Sequence, residues 1–277
     1  ELFTRWTPDE LEAMFGRPDL FRQRGVSNFS EQAAAAKPGQ ARPPVDLKQF
    51  FMVRDPSIPR NPANMPYGPN IWPDDILPRF RIVMLELMAA YKEIYFTLLT
   101  AVERAWGLRK GKLTGMAEGA ETVLRPIFYP SYDRLRNLGI DIPPGAQRSA
   151  PHGDINALTV LPPRPGLWAL LGGTWVKADA SDPDVIWVNI GEMLAQVEGV
   201  EGLVPTIHCV GTPPGMVDPE GDALLLKGRM AFPGFGHFRR RTRLRRGAFR
   251  HPHTGRMLKA LWVGHWFDQR IREITTG

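Results

Sequence analysis

The second half of the chain is a succession of short apolar runs, and this pattern limits the folds that the chain can adopt. The runs are rich in β-branched and aromatic residues and are separated by Gly, Pro and Asp, which is typical of short strands joined by turns. Gly172-Gly173 lies between two runs and predicts a hairpin turn. Closely spaced strands of this kind predict a sandwich or barrel. The seven runs are 122–129, 157–161, 167–171, 175–178, 185–188, 206–210 and 224–232.

The first half combines helical periodicity with a long stretch that has none. Residues 78–106 carry apolar side chains at spacings of three and four, which predicts an amphipathic helix. A capping pattern that begins at Thr7 predicts a short helix over 7–15. Proline, glycine and small residues dominate 27–73, which predicts an irregular segment, and we expect it to cover a functional site.

The end of the chain is basic and then helical. Seven arginines lie between Arg239 and Arg250 with no acidic residue among them, and removing those seven charges from the net charge of +6 leaves −1. Such a cluster is typical of surfaces for nucleic acid or anionic lipid, but it lacks the pattern of interleaved aromatic residues that base stacking requires. We therefore favour a solvated connection and do not expect nucleic acid as a partner. Residues 257–274 predict a final helix, whose packing face comprises Leu261, Trp262, His265, Trp266 and Ile271.

Composition and charge distribution exclude several classes of protein. With 43% apolar and 23% charged residues the chain is not disordered as a whole. Its one cysteine, Cys209, excludes an internal disulfide and fits a reducing compartment. Charged residues interrupt the most apolar stretch, 81–108, too often for a bilayer span, and residues 1–30 lack the apolar core of a signal peptide. We expect a cytoplasmic monomer with no membrane partner.

Two pairs of residues are candidate metal ligands. His152 and Asp154 are two residues apart, and on a strand such side chains share a face. A second histidine from elsewhere would complete a set of two imidazoles and one carboxylate, which suits non-haem Fe(II) because it leaves adjacent positions for O2 and a co-substrate. His251 and His253 form the competing pair, but the arginines around them disfavour a cation. We expect structural roles for His237 and His265, and the sixth histidine is His208.

The motifs around His152 resemble, in identity and order, those of the isopenicillin-N-synthase-like branch of the Fe(II)/2-oxoglutarate dioxygenases. The resemblance implies a mainly β fold with flanking helices and a double-stranded β-helix (jelly-roll) core. It divides the chain into an N-terminal helical and irregular region over 1–120, a catalytic core over 121–238, and the basic segment with the C-terminal helix over 239–277. The matching segments are 151–154 (PHGD), 158–161 (LTVL), 173–176 (GTWV), 188–194 (VNIGEML) and 207–210 (IHCV), with looser matches at 46–51 (DLKQFF) and 129–130 (YP).

The resemblance also assigns roles to individual residues. It implies that His152, Asp154 and His208 bind Fe(II). It implies that Arg229 grips the distal carboxylate of 2-oxoglutarate, a task that suits the planar fork of a guanidinium, and that Tyr129 supplies a hydroxyl at the same end. The family carries a serine two residues after this arginine, where the present chain has Ala231. The substitution removes one hydrogen bond, with a net contribution of about 0.5–1.5 kcal/mol.

The implied activity is the oxidation of a small-molecule substrate by O2, with 2-oxoglutarate converted to succinate and CO2. Hydroxylation, desaturation and ring closure are all compatible with the motifs. Because Ala231 replaces the serine, a 2-oxoglutarate-independent iron oxidase of the isopenicillin N synthase type is an open alternative, in which Arg229 would bind a substrate carboxylate. The alternatives from other classes are a non-catalytic binding module and a nucleic-acid-binding protein that uses the arginine cluster.

Overall fold

The computed structural model describes residues 3, 24–28, 46–58, 68–142, 147–178, 181–219, 226–244, 249–250, 257–258 and 262–275. The helices in these ranges are α1 (Phe80–Ala105), α2 (Lys112–Ala117), α3 (Tyr132–Asn137), α4 (Glu192–Ala195) and α5 (Val263–Thr275). The strands are β1 (Gly25–Asn28), β2 (Gln49–Arg54), β3 (Thr122–Leu124), β4 (Ile127–Tyr129), β5 (Ser149–His152), β6 (Leu158–Leu161), β7 (Leu167–Leu171), β8 (Thr174–Lys177), β9 (Trp187–Ile190), β10 (Ile207–Val210), β11 (Arg229–Ala231), β12 (Gly234–Gly236), β13 (Phe249–Arg250) and β14 (Met257–Leu258).

Two antiparallel sheets form the centre of the molecule. The larger sheet has the strand order β11-β4-β2-β3-β12-β6-β9, and β1 pairs with β2 beside this path. The smaller sheet has the order β5-β10-β7-β8, and a short ribbon of β13 and β14 is separate from both. Most neighbouring strands in each sheet are far apart in sequence, so they are joined by long connections and only a few by hairpins. The prediction of a mainly β fold with flanking helices is confirmed.

Each predicted run contains a strand, although run 185–188 joins β9 only from residue 187, and run 224–232 forms a strand only at Arg229–Ala231, with its first two residues outside the described ranges. One run is divided in a way that the sequence explains. The run 122–129 contains Pro126, which has no backbone N–H for a ladder, and the structure divides the run into β3 and β4 around Arg125-Pro126. The turn at Gly172-Gly173 is confirmed, because it joins β7 to β8 and both residues have positive φ, 57° and 84°. Positive φ at both central positions is what a tight two-residue hairpin requires.

The prediction of an irregular segment over 27–73 is wrong at β2. This strand is buried at all six positions and pairs with β1, β3 and β4 within the larger sheet. Prolines flank the run QFFMVR but do not interrupt it, so its aromatic and β-branched residues form a strand despite the composition around it. Residues 29–45, residues 59–67 and the predicted helix over 7–15 lie outside the described residues.

Helix α1 packs along the larger sheet through one face, as its periodicity predicts. Met84, Met88, Tyr91, Tyr95 and Leu99 are buried at spacings of three and four. The Tyr91 hydroxyl donates to the carbonyl of residue 232 (2.8 Å), and the Tyr95 hydroxyl donates to that of residue 237 (3.0 Å). The two rings lie directly over glycines 234 and 236 of β12, where a Cβ would collide with them. Across the described ranges, no helix combines the length and apolarity needed to cross a bilayer.

Helix α5 begins later than predicted and uses a different packing face. Residues 257–258 pair with 249–250 as strands, so the helix starts at Val263. Trp266 and Ile271 are buried as expected, whereas His265 is exposed and Trp262 is 47% exposed, so their placement on the packing face is wrong. The helix is fixed by Arg270, whose guanidinium donates to both oxygens of Glu192 at 2.9 and 3.0 Å in a fully buried, bidentate ion pair.

Two arginines of the basic cluster hold the same helix. The guanidinium of Arg240 forms an ion pair with Asp268, and that of Arg243 lies over the ring of Trp262 at 5.3 Å from its centre. These contacts support the interpretation of the cluster as a connection to the last helix. Absence of nucleic acid as a partner stays a prediction.

Glu103 joins α1 to α2 through its carboxylate. The residue is 3% exposed, and its carboxylate accepts hydrogen bonds from the backbone N–H groups of Gly111 (2.9 Å), Leu113 (2.7 Å) and Thr114 (2.8 Å). Burial alone raises the pKa of this carboxyl, but the hydrogen bonds outweigh burial, so its pKa lies below the ordinary value of 4.5. The ionised side chain thus stabilises the first turn of α2.

We expect Glu103→Gln to lower the free energy of unfolding by about 1–2 kcal/mol at pH 7, because a neutral amide loses charge-assisted bonds. A lowered folded-state pKa means that the contribution is complete above the unfolded-state pKa and disappears as pH falls through the folded-state value. The difference from wild type should therefore shrink below about pH 4. Urea unfolding at pH 7 and at about pH 3.5 measures this difference in the free energy of unfolding. The control is Glu118→Gln, at an exposed glutamate. Equal differences at both pH values would contradict the stabilising function of the ionised Glu103.

Candidate metal centre

Three side chains from adjacent strands converge at one point of the smaller sheet. His152 ends β5 and His208 lies on β10, and because the two residues are direct cross-strand partners, their ring centres lie 4.3 Å apart. Asp154 follows β5, with carboxylate oxygens 3.9 Å from Nε2 of each histidine. One ligand atom from each residue lies within 4.8 Å of the others. The three residues that the sequence selects are thus brought together.

Backbone carbonyls orient both imidazoles. Nδ1 of His152 lies 2.8 Å from the carbonyl oxygen of Ala150, and Nδ1 of His208 lies 3.0 Å from that of Thr206. A carbonyl only accepts, so each Nδ1 carries the proton and each Nε2 has a free lone pair on the side of Asp154. This is the tautomer and the orientation that metal-binding histidines adopt.

A hydrogen bond from the opposite sheet orients the carboxylate. The hydroxyl of Thr159, on β6, donates to Oδ2 of Asp154 at 2.6 Å. The amide of Asn156 in turn lies 3.2 Å from that hydroxyl and 2.7 Å from the carbonyl oxygen of Leu158. The sequence identifies Thr159 only as part of the LTVL motif, because no spacing rule relates it to Asp154. Its function in the site follows from the contact between side chains of the two sheets.

The protonation states of the cluster suit a cation. Burial, reinforced by the neighbouring His208, lowers the pKa of His152, so its imidazole is neutral near pH 7. Burial alone raises the pKa of Asp154, but the two histidines and the bond from Thr159 outweigh burial and lower it. A neutral imidazole beside a carboxylate binds a metal without first losing a proton.

Arg229 and Tyr129 lie beside each other in the cavity that the three ligand candidates line. The residues are cross-strand partners on β11 and β4, and the guanidinium lies 4.9 Å from the centre of the tyrosine ring. Nη1 of Arg229 donates to the carbonyl oxygens of Arg164, at 3.3 Å, and Pro165. Its Nε is buried and has no hydrogen-bond partner among the described residues. This donor fits a carboxylate ligand in the cavity.

Two further cations line this cavity, and the sequence analysis missed both of them. Lys48 is buried and forms an ion pair with Asp46 at 2.9 Å. The guanidinium of Arg125 lies between two rings, 4.6 Å from the centre of Phe50 and 5.1 Å from that of Phe235. Extending the period-two pattern of β4 back by one step is the signal that could have found Arg125, since residues 125, 127 and 129 all line the cavity although Arg125 precedes the strand.

The other histidine candidates lie apart from this centre or outside the described residues. His237 is held by the carbonyl oxygen of Glu121, 3.0 Å from its Nδ1, and burial lowers its pKa to about 4. His265 is exposed on α5. The competing pair, 251 and 253, lies outside the described residues. Within the described ranges, the metal-ligand geometry is met by the His-Asp-His group.

Comparison with known proteins gives structural matches alone. No family model matches the chain, and no curated protein matches it. A 2OG-Fe(II) oxygenase family protein from Caulobacter crescentus matches with a TM-score of 0.69 and 25% identity over 98% of this chain and 82% of that one. T7H from Neurospora crassa, in complex with alpha-KG (2-oxoglutarate), matches with a TM-score of 0.67 and 18% identity over 97% and 78%. JOX2, in complex with 2OG, Fe and JA, matches with a TM-score of 0.61 and 17% identity over 88% of this chain and 62% of that one.

These matches confirm the predicted jelly-roll core, because the chain is similar in fold to two of these structures over 97–98% of its length. One of the matched structures is a 2OG-Fe(II) oxygenase family protein, and the other two hold alpha-KG or 2OG with Fe, which supports the broad family. The assignment to the isopenicillin-N-synthase-like branch and the division into three regions stay predictions.

We expect Thr159→Val to weaken binding of a divalent cation by about 10- to 100-fold, because the Asp154 carboxylate loses the hydrogen bond that orients it. The substitution preserves shape, so the fold should be retained. Anaerobic calorimetric titration with Mn(II) measures the affinity. Thr100→Val is the matched control, because its hydroxyl bonds only within α1, to the carbonyl oxygen of Phe96. Equal affinities in the two variants would exclude this function of Thr159.

Proposed function

We propose that the chain is a non-haem Fe(II)/2-oxoglutarate-dependent oxygenase that oxidises a small-molecule substrate. The observation that carries the proposal is the convergence of His152, Asp154 and His208 in one cavity with Arg229. An ion held by two imidazoles and one carboxylate keeps adjacent coordination positions for other ligands, and a guanidinium in the same cavity offers a partner for an organic acid.

The iron would be held by Nε2 of His152, a carboxylate oxygen of Asp154 and Nε2 of His208. When bound together, Fe(II) and 2-oxoglutarate supply the oxidation itself, in which O2 is reduced, the keto acid becomes succinate and CO2, and the substrate loses two electrons. The chain keeps its ligands in one geometry through the carbonyls behind the imidazoles and through the Thr159 hydroxyl.

Arg229 and Tyr129 would bind the distal carboxylate of the co-substrate. Nε of Arg229 is a buried donor without a partner among the described residues, and a carboxylate would satisfy it. Burial raises the pKa of Tyr129 although the charge of Arg229 opposes this, so the phenol stays protonated and can donate a hydrogen bond. The two residues lie on adjacent strands, so both donors would be available to one carboxylate.

Apolar walls exclude water from this end of the cavity. Leu161, Leu167 and Val210 line it and are buried. A low-dielectric wall strengthens the attraction between a guanidinium and a carboxylate and reduces the cost of orienting them. Excluding water from the cavity also limits side reactions during the oxidation.

The matched structures support a small-molecule substrate class. T7H has been solved with alpha-KG and thymine together, so in that protein a small organic molecule and the keto acid are held at once. We extend to the present chain the general class, a small organic molecule with O2 as second substrate, and not thymine itself.

Ala231 favours a second candidate, a 2-oxoglutarate-independent iron oxidase. The residue is buried and lines the cavity at the position where the family carries a serine. Without that hydroxyl, Arg229 could serve a carboxylate of the substrate instead of the co-substrate. The two candidates differ in whether 2-oxoglutarate enters the coordination sphere of the metal.

Anaerobic titration with Fe(II) separates these candidates. We expect a visible metal-to-ligand charge-transfer band that appears only when both Fe(II) and 2-oxoglutarate are present. His208→Ala should remove the band because the metal loses a ligand, whereas His265→Ala, at an exposed histidine on α5, should retain it. A band with Fe(II) alone, or none with both, would reject the co-substrate assignment.

Restoring the missing hydroxyl should strengthen co-substrate binding. We expect Ala231→Ser to lower the Kd for 2-oxoglutarate by about two- to tenfold, since one net hydrogen bond contributes about 0.5–1.5 kcal/mol. Arg229→Gln should raise that Kd by at least about tenfold through loss of a charged donor. The amplitude of the charge-transfer band against 2-oxoglutarate concentration gives both values. Under the oxidase alternative, neither substitution changes 2-oxoglutarate affinity.

A further inference from the structure

A larger cavity lies next to the metal cavity, between the end of the larger sheet and α5. Its volume is about 380 Å³, compared with about 50 Å³ for the metal cavity. Its deep walls are apolar, and its lining on the side of the basic segment consists of arginines. The apolar residues include Val123, Met193, Phe238 and Val263, and the arginines include the exposed Arg239 and Arg241. We call this space the arginine-lined chamber.

Two adjacent strands carry the wall of the metal cavity directly into the chamber. Val123 of β3 lines the chamber, and Arg125, the residue directly after that strand, lines the metal cavity. Phe235 of β12 lines the metal cavity, and His237, the residue directly after that strand, lines the chamber. Side chains two residues apart on a strand share a face and are about 7 Å apart.

These two strands pair directly with each other in the larger sheet. Phe235 of β12 and Val123 of β3 are direct cross-strand partners. One member of the pair lines the metal cavity and the other lines the chamber, so the two spaces lie on either side of this pair. The chamber therefore adjoins the metal cavity along one face of the sheet, with this pair of side chains between them.

The sizes of the two spaces indicate different occupants. The metal cavity is the smaller of the two spaces, at about 50 Å³, and it is lined by the three ligand candidates and Arg229. A volume of about 380 Å³ lies in the range of small-molecule sites, which is about 300–1,000 Å³. A substrate must have one end beside the metal and its remaining atoms in a space that adjoins it, and the chamber meets this requirement.

The charges around the chamber indicate the class of molecule. Glu121 is the acidic residue among the described lining residues, and it forms an ion pair with Arg24. Arg240 is engaged by Asp268 on α5. Arg239 and Arg241 are exposed and add two positive charges where the chamber meets solvent. An organic anion is attracted there, and the apolar walls favour an apolar body behind its charge.

We propose that the arginine-lined chamber is the substrate site and that its substrate is a small organic anion with an apolar body. The inference rests on the proposed function for the metal, but the binding preference of the chamber is independent of it. It also assigns a use to the basic segment: Arg239 and Arg241 recruit a small carboxylate rather than nucleic acid.

A pair of matched probes tests the charge preference. 6-Fluoro-2-naphthoate is an aromatic anion, and 6-fluoro-2-naphthamide is its neutral analogue of the same shape. Titrations followed by 19F NMR are performed with saturating 2-oxoglutarate, so that Arg229 is not the site measured. We expect the anion to bind about three- to tenfold more tightly than the amide, because guanidinium groups at the chamber attract its carboxylate.

Arginine variants locate that preference. Arg239→Gln and Arg241→Gln should each weaken naphthoate binding about three- to tenfold and leave naphthamide binding unchanged. Arg243→Gln is the matched control, because it removes the same charge from the same segment, and Arg243 lies over Trp262 outside the chamber lining. Equal effects of all three variants, or no preference for the anion, would overturn the proposal.

Paramagnetic relaxation tests the position of the chamber beside the metal. With Mn(II) as the bound metal, the 19F signal of the bound naphthoate should broaden strongly, whereas with Zn(II), or in His208→Ala, it should stay narrow. Mn(II) binding is measured separately by water-proton relaxation. Failure of Mn(II) to bind would contradict the proposed function, while Mn(II) binding without broadening of the probe would overturn the chamber as substrate site.

Discussion

A buried carboxylate that faces two imidazoles is the interaction on which the rest of the site depends. Asp154 is held from one sheet by its position after β5 and from the other by the hydroxyl of Thr159. A charge in this position is costly unless it is paired and hydrogen-bonded. The two sheets must therefore keep their register, because a shift of one residue in either would turn these side chains away. The cost of burying the group and the precision of the site have the same physical origin.

The sequence predicts the elements better than their arrangement. Strands with period-two patterns and the Gly172-Gly173 turn are local signals, and they were found. Strand β2 was missed because the prolines around it obscured a run of strand-forming residues. The pairing of β3 with β12 joins residues more than 100 positions apart, so neither the step from Phe235 to His237 nor the chamber beyond it has a local signature.

The candidate site divides in the same way. His152 and Asp154 are linked by their spacing, whereas His208 enters only through the order of motifs that resemble a known family. Thr159 and Arg125 become visible through tertiary structure, although counting back from Tyr129 by twos would have pointed to Arg125. Residues that contact a ligand tend to lie within motifs, while residues that orient or surround them follow from packing.

The buried ion pair of α5 connects the end of the described chain to the metal centre. Glu192 pairs with Arg270 through its carboxylate, and its backbone N–H donates to the carbonyl oxygen of Asp154 at 2.7 Å. Proteolytic loss of α5 would strand a charge in the interior directly behind a ligand candidate, a situation that buried ion pairs make strongly destabilising. Clipping of the C-terminal helix during purification would thus be registered as lost metal occupancy, although no residue of that helix lies in the metal cavity.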